Sequence, residues 1–251
     1  MKGKRYKKKK VNKSKFIISI IQLILIGVIC FSGVKIVKWY LNNKENKKIL
    51  NEVSKNITVC DNKNDKYNVD FESLKQQNPD TIAWIKVENT NIDFPVVKGT
   101  DNDYYLRHNF NKEYNVAGWI FADYKNKLDG TDRNIVIYGH NMRDDSMFGT
   151  LKNVIKEDWY NNEKNKYVTL ITEKENIKYE VFSTYQIEAE EYYVQTNIND
   201  SEYDEFIQKV KSRSIKDFGV SVSDTDSILT LSTCANNNKY RIVLHAKKVS
   251  E

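Results

Sequence analysis

Three residues of complementary chemistry stand at the ends of apolar runs in this sequence. Cys234 follows SILTLST, His140 ends NIVIYGH and Arg241 opens RIVLHAK. Apolar runs of this length are buried strands, so side chains at their ends emerge at a sheet rim, where functional groups collect. A thiolate attacks carbonyl carbon, and an imidazole moves protons near neutral pH. A guanidinium stays charged and offers a planar fork of donors to an oxygen that gains negative charge. Each also has a plain structural reading, the cysteine as a small core residue and the arginine as a surface charge. Residue types alone leave both open.

The chain holds only two other histidines, His108 and His245. By period-two alternation His245 shares a strand face with Arg241, which makes it a rival base. It lies further from the rim, however, as a packed histidine would. His108, in LRHNF, has no partner legible in the sequence. No group of His, Cys, Asp and Glu has metal-ligand spacing, and the acidic stretch at 188–191 reads as solvated, so neither metal nor cofactor is expected.

The elements that must position these residues are mostly strands. IAWIKV and IDFPVV flank the turn-like segment 88–91 as a hairpin, and further runs follow at 118–122, 134–140, 166–172, 177–185, 227–233 and 240–247. At least seven strands with irregular connections predict a sandwich or barrel. A short helix over FESLKQQ is predicted behind an Asp70 cap, ending near Asn78-Pro79. A second is predicted around 147–159. A third is predicted where Tyr203, Phe206, Ile207 and Val210 give i, i+3, i+4, i+7 spacing.

The N-terminus has a different character. Residues 1–15 carry nine Lys and Arg without an acid, more than the whole formal net charge of +6. The rest is therefore slightly acidic, which argues against a nucleic-acid partner. Residues 16–34 carry no charge, and nineteen residues of helix span roughly 28 Å, the thickness of a hydrocarbon core. The expected organisation is a basic cytoplasmic tail (1–15), a retained transmembrane anchor (16–37), a polar extracellular stalk (38–68) and a folded domain (69–251). A cleaved signal peptide is the rival, but the stretch is long for one and lacks an A-x-A-like site. The basic cluster keeps the tail inside, and Trp39 and Tyr40 fall where interfacial aromatics belong. With Cys30 in the span and Cys60 in the stalk, Cys234 is expected to be an unpaired extracellular thiol.

YGHN at 138–141, LTLSTC at 229–234 and the following Arg241, in that order, resemble the signature of class B sortases. DYYLRHNF (103–110), GWIFADYKN (118–126) and the segment 185–222 also resemble that class. The resemblance implies a mainly β fold: a closed eight-stranded sortase-type barrel with N-terminal helices and a helix in a long inter-strand connection. It implies that Cys234 is the nucleophile, His140 the general acid and base, and Arg241 the group that stabilises the oxyanion or orients substrate. It further implies that Asn102, Leu106, Tyr193, Val194 and Ser232 line the substrate groove. In two places the chain departs from the class. Only ANNNKY separates Cys234 from Arg241, and Ala235 stands where some members carry an acid.

The function so implied is transpeptidation without a cofactor. A surface protein bearing a C-terminal, NP-x-T-like sorting signal is cleaved after threonine through a thioacyl intermediate and joined to an amine of peptidoglycan. Membrane anchoring with the catalytic part outside accompanies it. Two alternatives stand beside this reading: a thiol peptidase that only hydrolyses, and a non-catalytic anchored barrel that binds the cell wall. A papain-like hydrolase fits poorly, because that family places its cysteine before its histidine.

Overall fold

The computed structural model describes residues 13–61, 66–235 and 239–249, with only the backbone at 13, 61, 66, 234 and 235. Most of the basic tail and Asn236 to Asn238 of the ANNNKY segment lie outside the described residues. The chain divides into two units, one ending at Lys44 and one running from Glu45 to Glu251.

Where described, the first unit is helical and belongs to α1 (Lys13–Val53). Its side chains from 14 to 41 are all exposed, and α1 is long and apolar enough to cross a membrane. A helix suits that setting because it satisfies its backbone groups internally.

The second unit begins with the last turns of α1, ahead of the boundary expected near Val69. Asn46, Ile49 and Val53 are buried there. Their i, i+3, i+7 spacing makes one buried helical stripe, whose apolar members Ile49 and Val53 look scattered in the linear sequence. A 3₁₀ turn (Ser54–Asn56) leads to β1 (Ile57–Asp61), which pairs antiparallel with β2 (Lys66–Val69). The short helix α2 (Phe71–Gln77) follows as expected, with the Asp70 carboxylate accepting from the Ser73 backbone N–H.

Eight strands then close a barrel. They are β3 (Thr81–Val87), β4 (Asp93–Val97), β5 (Phe121–Ala122), β6 (Asn134–Tyr138), β7 (Tyr167–Ile171), β8 (Asn176–Glu188), β9 (Ile228–Ala235) and β10 (Tyr240–Lys248). Their order around the barrel is β10-β8-β7-β3-β4-β5-β6-β9, and β9 closes on β10. The pairs β4–β5 and β6–β9 are parallel and the others antiparallel.

The strand predicted over GWIFA shrinks to Phe121–Ala122. Trp119 instead donates its backbone N–H to Tyr105, and Ile120 accepts from Val97. The helix predicted over 147–159 is also corrected: it is a 3₁₀ segment (Gly149–Ile155) and a short α3 (Glu157–Tyr160), separated by an extended Lys156. Gly149 explains the tight path, since a Cβ there would lie 2.5 Å from the Met142 carbonyl oxygen.

Alternation sorts the strands between two cores. Leu229, Leu231, Ile242, Leu244, Ile135 and Ile137 fill the barrel. The opposite face of β8, β9 and β10 is covered by the connection 189–227, which contains α4 (Asp200–Ser212). Tyr203, Phe206, Ile207 and Val210 of α4 pack with Tyr185, Tyr193 and Val243 into a second core.

Candidate active site

The parallel pairing of β6 with β9 sets Tyr138 against Ser232, and the next backbone N–H, of Gly139, donates to the Ser232 carbonyl at 3.3 Å. His140 lies two residues past Tyr138, and Cys234 two past Ser232. Both chains therefore leave the barrel side by side at the same end. On the other side of β9, Arg241 is the direct antiparallel partner of Cys234. Opposed residues in such a pair are about 4.5–5.5 Å apart at Cα and share a face. Thr230 and Ser232, which precede Cys234 at period two, both bond outside the barrel.

His140 is half-buried, and its backbone carbonyl accepts from the N–H groups of Met142 and Phe148. Gly139 permits this path: a Cβ there would come within 2.5 Å of Ile120 and 2.7 Å of Phe148. The ring Nε2 lies 2.8 Å from the carbonyl oxygen of Leu106. A carbonyl can only accept, so Nε2 carries the proton of that bond, and the neutral ring keeps its free electron pair on Nδ1. Arg241 is also half-buried and donates from Nη1 to the Tyr240 carbonyl at 3.1 Å.

The residues expected to line a groove divide into two groups. Asn102 is half-buried and held from both sides, its Nδ2 donating to Asp123 at 2.8 Å and its Oδ1 accepting from the Tyr124 N–H. Leu106 is half-buried with its carbonyl on His140 Nε2, and Val194 packs at the margin of the second core. Tyr193 and Ser232 are buried instead, and their hydroxyls bond to each other at 3.0 Å. They pin the connection 189–227 to β9 one alternation step short of Cys234.

Two contacts of this neighbourhood were not assigned from the sequence, although Asp123 lies in GWIFADYKN and Leu106 was expected at the groove. Asp123, 5% exposed, accepts from both Asn102 and the Tyr138 hydroxyl, and burial together with that carboxylate raises the Tyr138 phenol well above its ordinary value. Leu106 contributes its backbone oxygen to His140, a group that every residue possesses. The strand pairing Phe121↔Tyr138 brings Asp123 near, and only the fold supplies it.

The rival histidine is sealed in the second core. His245 is fully buried, bonded to the Tyr185 hydroxyl and to Thr230 Oγ1, both at 2.8 Å. Thr230 spends its own proton on Asn134, so His245 must donate from Nδ1 and accept at Nε2. Burial, with the nearby Arg213 charge, pulls its pKa down to about 3. A ring held neutral and away from solvent is not placed to serve the rim. His108 stacks on Tyr104 with centroids 3.9 Å apart, and its Nδ1 contacts the Tyr104 carbonyl. Among the described residues no three His, Cys, Asp or Glu side chains gather in a metal-ligating group.

The sortase domain family model matches residues 85–249. Sortase B of Listeria monocytogenes is 35% identical over 237 residues, covering 91% of this chain and 95% of that protein. Sortase B of Staphylococcus aureus is 32% identical over 235 residues, covering 92% and 96%. The crystal structure of Clostridium perfringens sortase B superposes with a TM-score of 0.68 at 45% identity, covering 72% of this chain and 100% of that one.

Proposed function

This chain belongs to the sortase family as a class B member, a cysteine transpeptidase of cell-wall sorting, and from that premise we propose how its residues divide the work. The observation that carries the proposal is the strand register: β9 brings Cys234 opposite Arg241 and runs parallel to β6, which ends two residues before His140.

Cys234, as thiolate, attacks the carbonyl carbon after threonine in an NP-x-T-like sorting signal. The carbonyl oxygen becomes an oxyanion, to which the Arg241 guanidinium donates. Collapse breaks the C–N bond, and protonated His140 delivers its Nδ1 proton to the departing nitrogen, leaving a thioacyl enzyme. A peptidoglycan amine then attacks that thioester, and neutral His140 accepts its proton at Nδ1. The second collapse releases the thiolate and the new amide. Throughout, the Leu106 carbonyl holds the opposite ring nitrogen, so the group that moves the proton keeps its orientation.

In this proposal Asn102, Leu106 and Val194 border the sorting-signal groove, with Tyr193 and Ser232 framing it from beneath. Helix α1 anchors the chain in the cytoplasmic membrane, with the basic tail inside and the barrel outside.

The test uses the full chain in detergent micelles with fluorescent NP-x-T-like peptides and a peptidoglycan-stem amine. Expected are transfer products, an acyl adduct detectable by mass, and loss of both in Cys234→Ala. Continued cleavage by Cys234→Ala would overturn the proposal. Products unchanged by the added amine would convert it to hydrolysis alone.

A further inference from the structure

We propose that Gly118 is a positioning residue for His140, acting through the Leu106 carbonyl. The inference rests on the reading that His140 moves the proton in transfer. It starts from a contact that only glycine permits.

Leu106 is the last residue of a 3₁₀ turn (Tyr104–Leu106) that is fixed from several directions. The fully buried Tyr105 ring plugs the turn into the fold, its hydroxyl bonding to Asp80 at 2.6 Å. The Tyr105 carbonyl accepts from the Trp119 N–H at 2.9 Å, and the Arg107 carbonyl accepts from the Asn115 N–H at 2.7 Å. Segment 115–119 is therefore laid directly against the turn that holds the histidine.

At the centre of that contact Gly118 has φ +57°. A Cβ there would stand 2.4 Å from the Tyr105 oxygen, 2.8 Å from the Leu106 oxygen and 2.9 Å from the Leu106 carbonyl carbon. These are backbone atoms that cannot rotate aside, and the separations are far inside ordinary carbon–oxygen contact. One of them is the same oxygen that accepts from His140 Nε2 at 2.8 Å. Any side chain at 118 displaces the acceptor itself. Without it the ring loses the bond that selects the Nε2–H tautomer, and Nδ1 ceases to be a dependable proton acceptor.

The chain supplies its own control for backbone strain. Gly219 has φ +70° with no atom within 4 Å of its Cβ position. Alanine there meets the same left-handed penalty but no neighbour.

The experiment compares Gly118→Ala, Gly118→Asn and Gly219→Ala in the full chain in detergent micelles. Asparagine tolerates positive φ better than alanine while still bringing a Cβ, so it guards against a variant lost to strain. Near-UV circular dichroism reports the fold, ¹⁵N-histidine spectra the His140 tautomer, and steady-state transfer kcat, KM and the pH profile. Expected are a single Nε2–H tautomer in the wild type and Gly219→Ala. Either Gly118 variant should give mixed tautomers, a kcat lowered roughly 10²-fold with KM little changed, and a displaced pH profile. A folded Gly118 variant that keeps the tautomer and the wild-type profile overturns the proposal, as does a Gly219→Ala variant with the same changes. If neither Gly118 variant folds, the glycine serves the fold rather than the histidine, and the proposal fails. A His140→Ala chain with undiminished transfer would instead sink the catalytic reading, and the tautomer comparison separates that outcome from this one.

Discussion

Arg241 stands directly opposite Cys234 across the β9–β10 ladder, its guanidinium steadied by the Tyr240 carbonyl. If it stabilises the oxyanion, the planar fork matters as well as the charge. Arg241→Lys is expected to lower kcat for peptide transfer by roughly 10²-fold with a smaller change in KM. Steady-state kinetics on a sorting-signal peptide decide it, and a lysine variant with wild-type kcat would remove Arg241 from that role.

The Tyr193–Ser232 bond is buried, so removing either hydroxyl forfeits it where bulk water cannot replace it. Tyr193→Phe and Ser232→Ala are each expected to destabilise by about 1–3 kcal/mol, and the double variant by less than their sum. Urea unfolding of the three chains measures this. Strict additivity would mean that the hydroxyls do not pin the connection to β9.

His245 is expected to make the fold acid-sensitive. Its folded pKa, about 3, lies below the ordinary histidine value, so the unfolded chain takes up the proton first. The stabilisation is complete above about pH 6.5 and falls by about 1.4 kcal/mol per pH unit as the pH drops from there toward 3. Unfolding midpoints from pH 7 to 4 should show a steeper loss for the wild type than for His245→Gln. Parallel slopes would refute the assignment.

The last turns of α1 should contribute to the stability of the barrel unit. A chain shortened to begin at Val69 loses the buried Ile49 and Val53, each worth about 1.5–3 kcal/mol. It also leaves the buried Asn115 amide without Asn46, its partner through two bonds of 3.1 and 2.9 Å. It is expected to unfold at clearly lower urea than a chain beginning at Glu45. Equal midpoints would show that these contacts contribute nothing.

Much of this was legible before any coordinates. Period-two runs located the long strands, i, i+3, i+4, i+7 spacing located α4, and Asp70 announced the cap of α2, because each depends on residues a few positions apart. The motif order His140, Cys234, Arg241 pointed to the family for a similar reason. The misreadings came where backbone contacts from distant segments override local pattern. Gly149 tightens a would-be helix into 3₁₀ geometry, Trp119 and Ile120 bond outside their expected strand, and Ile49 and Val53 become core only because the last turns of α1 pack within the barrel unit.

By itself, the amino-acid order determined which residue types end which strands, and that one long charge-free segment precedes them. Only the tertiary structure decided that parallel β6 and β9 carry the segments of His140 and Cys234 out at the same end, and by which partners His245, a rival on strand alternation but expected to be packed, is enclosed and neutral. It alone decided that the Leu106 carbonyl lies within hydrogen-bond reach of His140 Nε2. The physical reason is that register, burial and backbone acceptors belong to pairs of segments far apart in the chain, and no side-chain type in either segment encodes them.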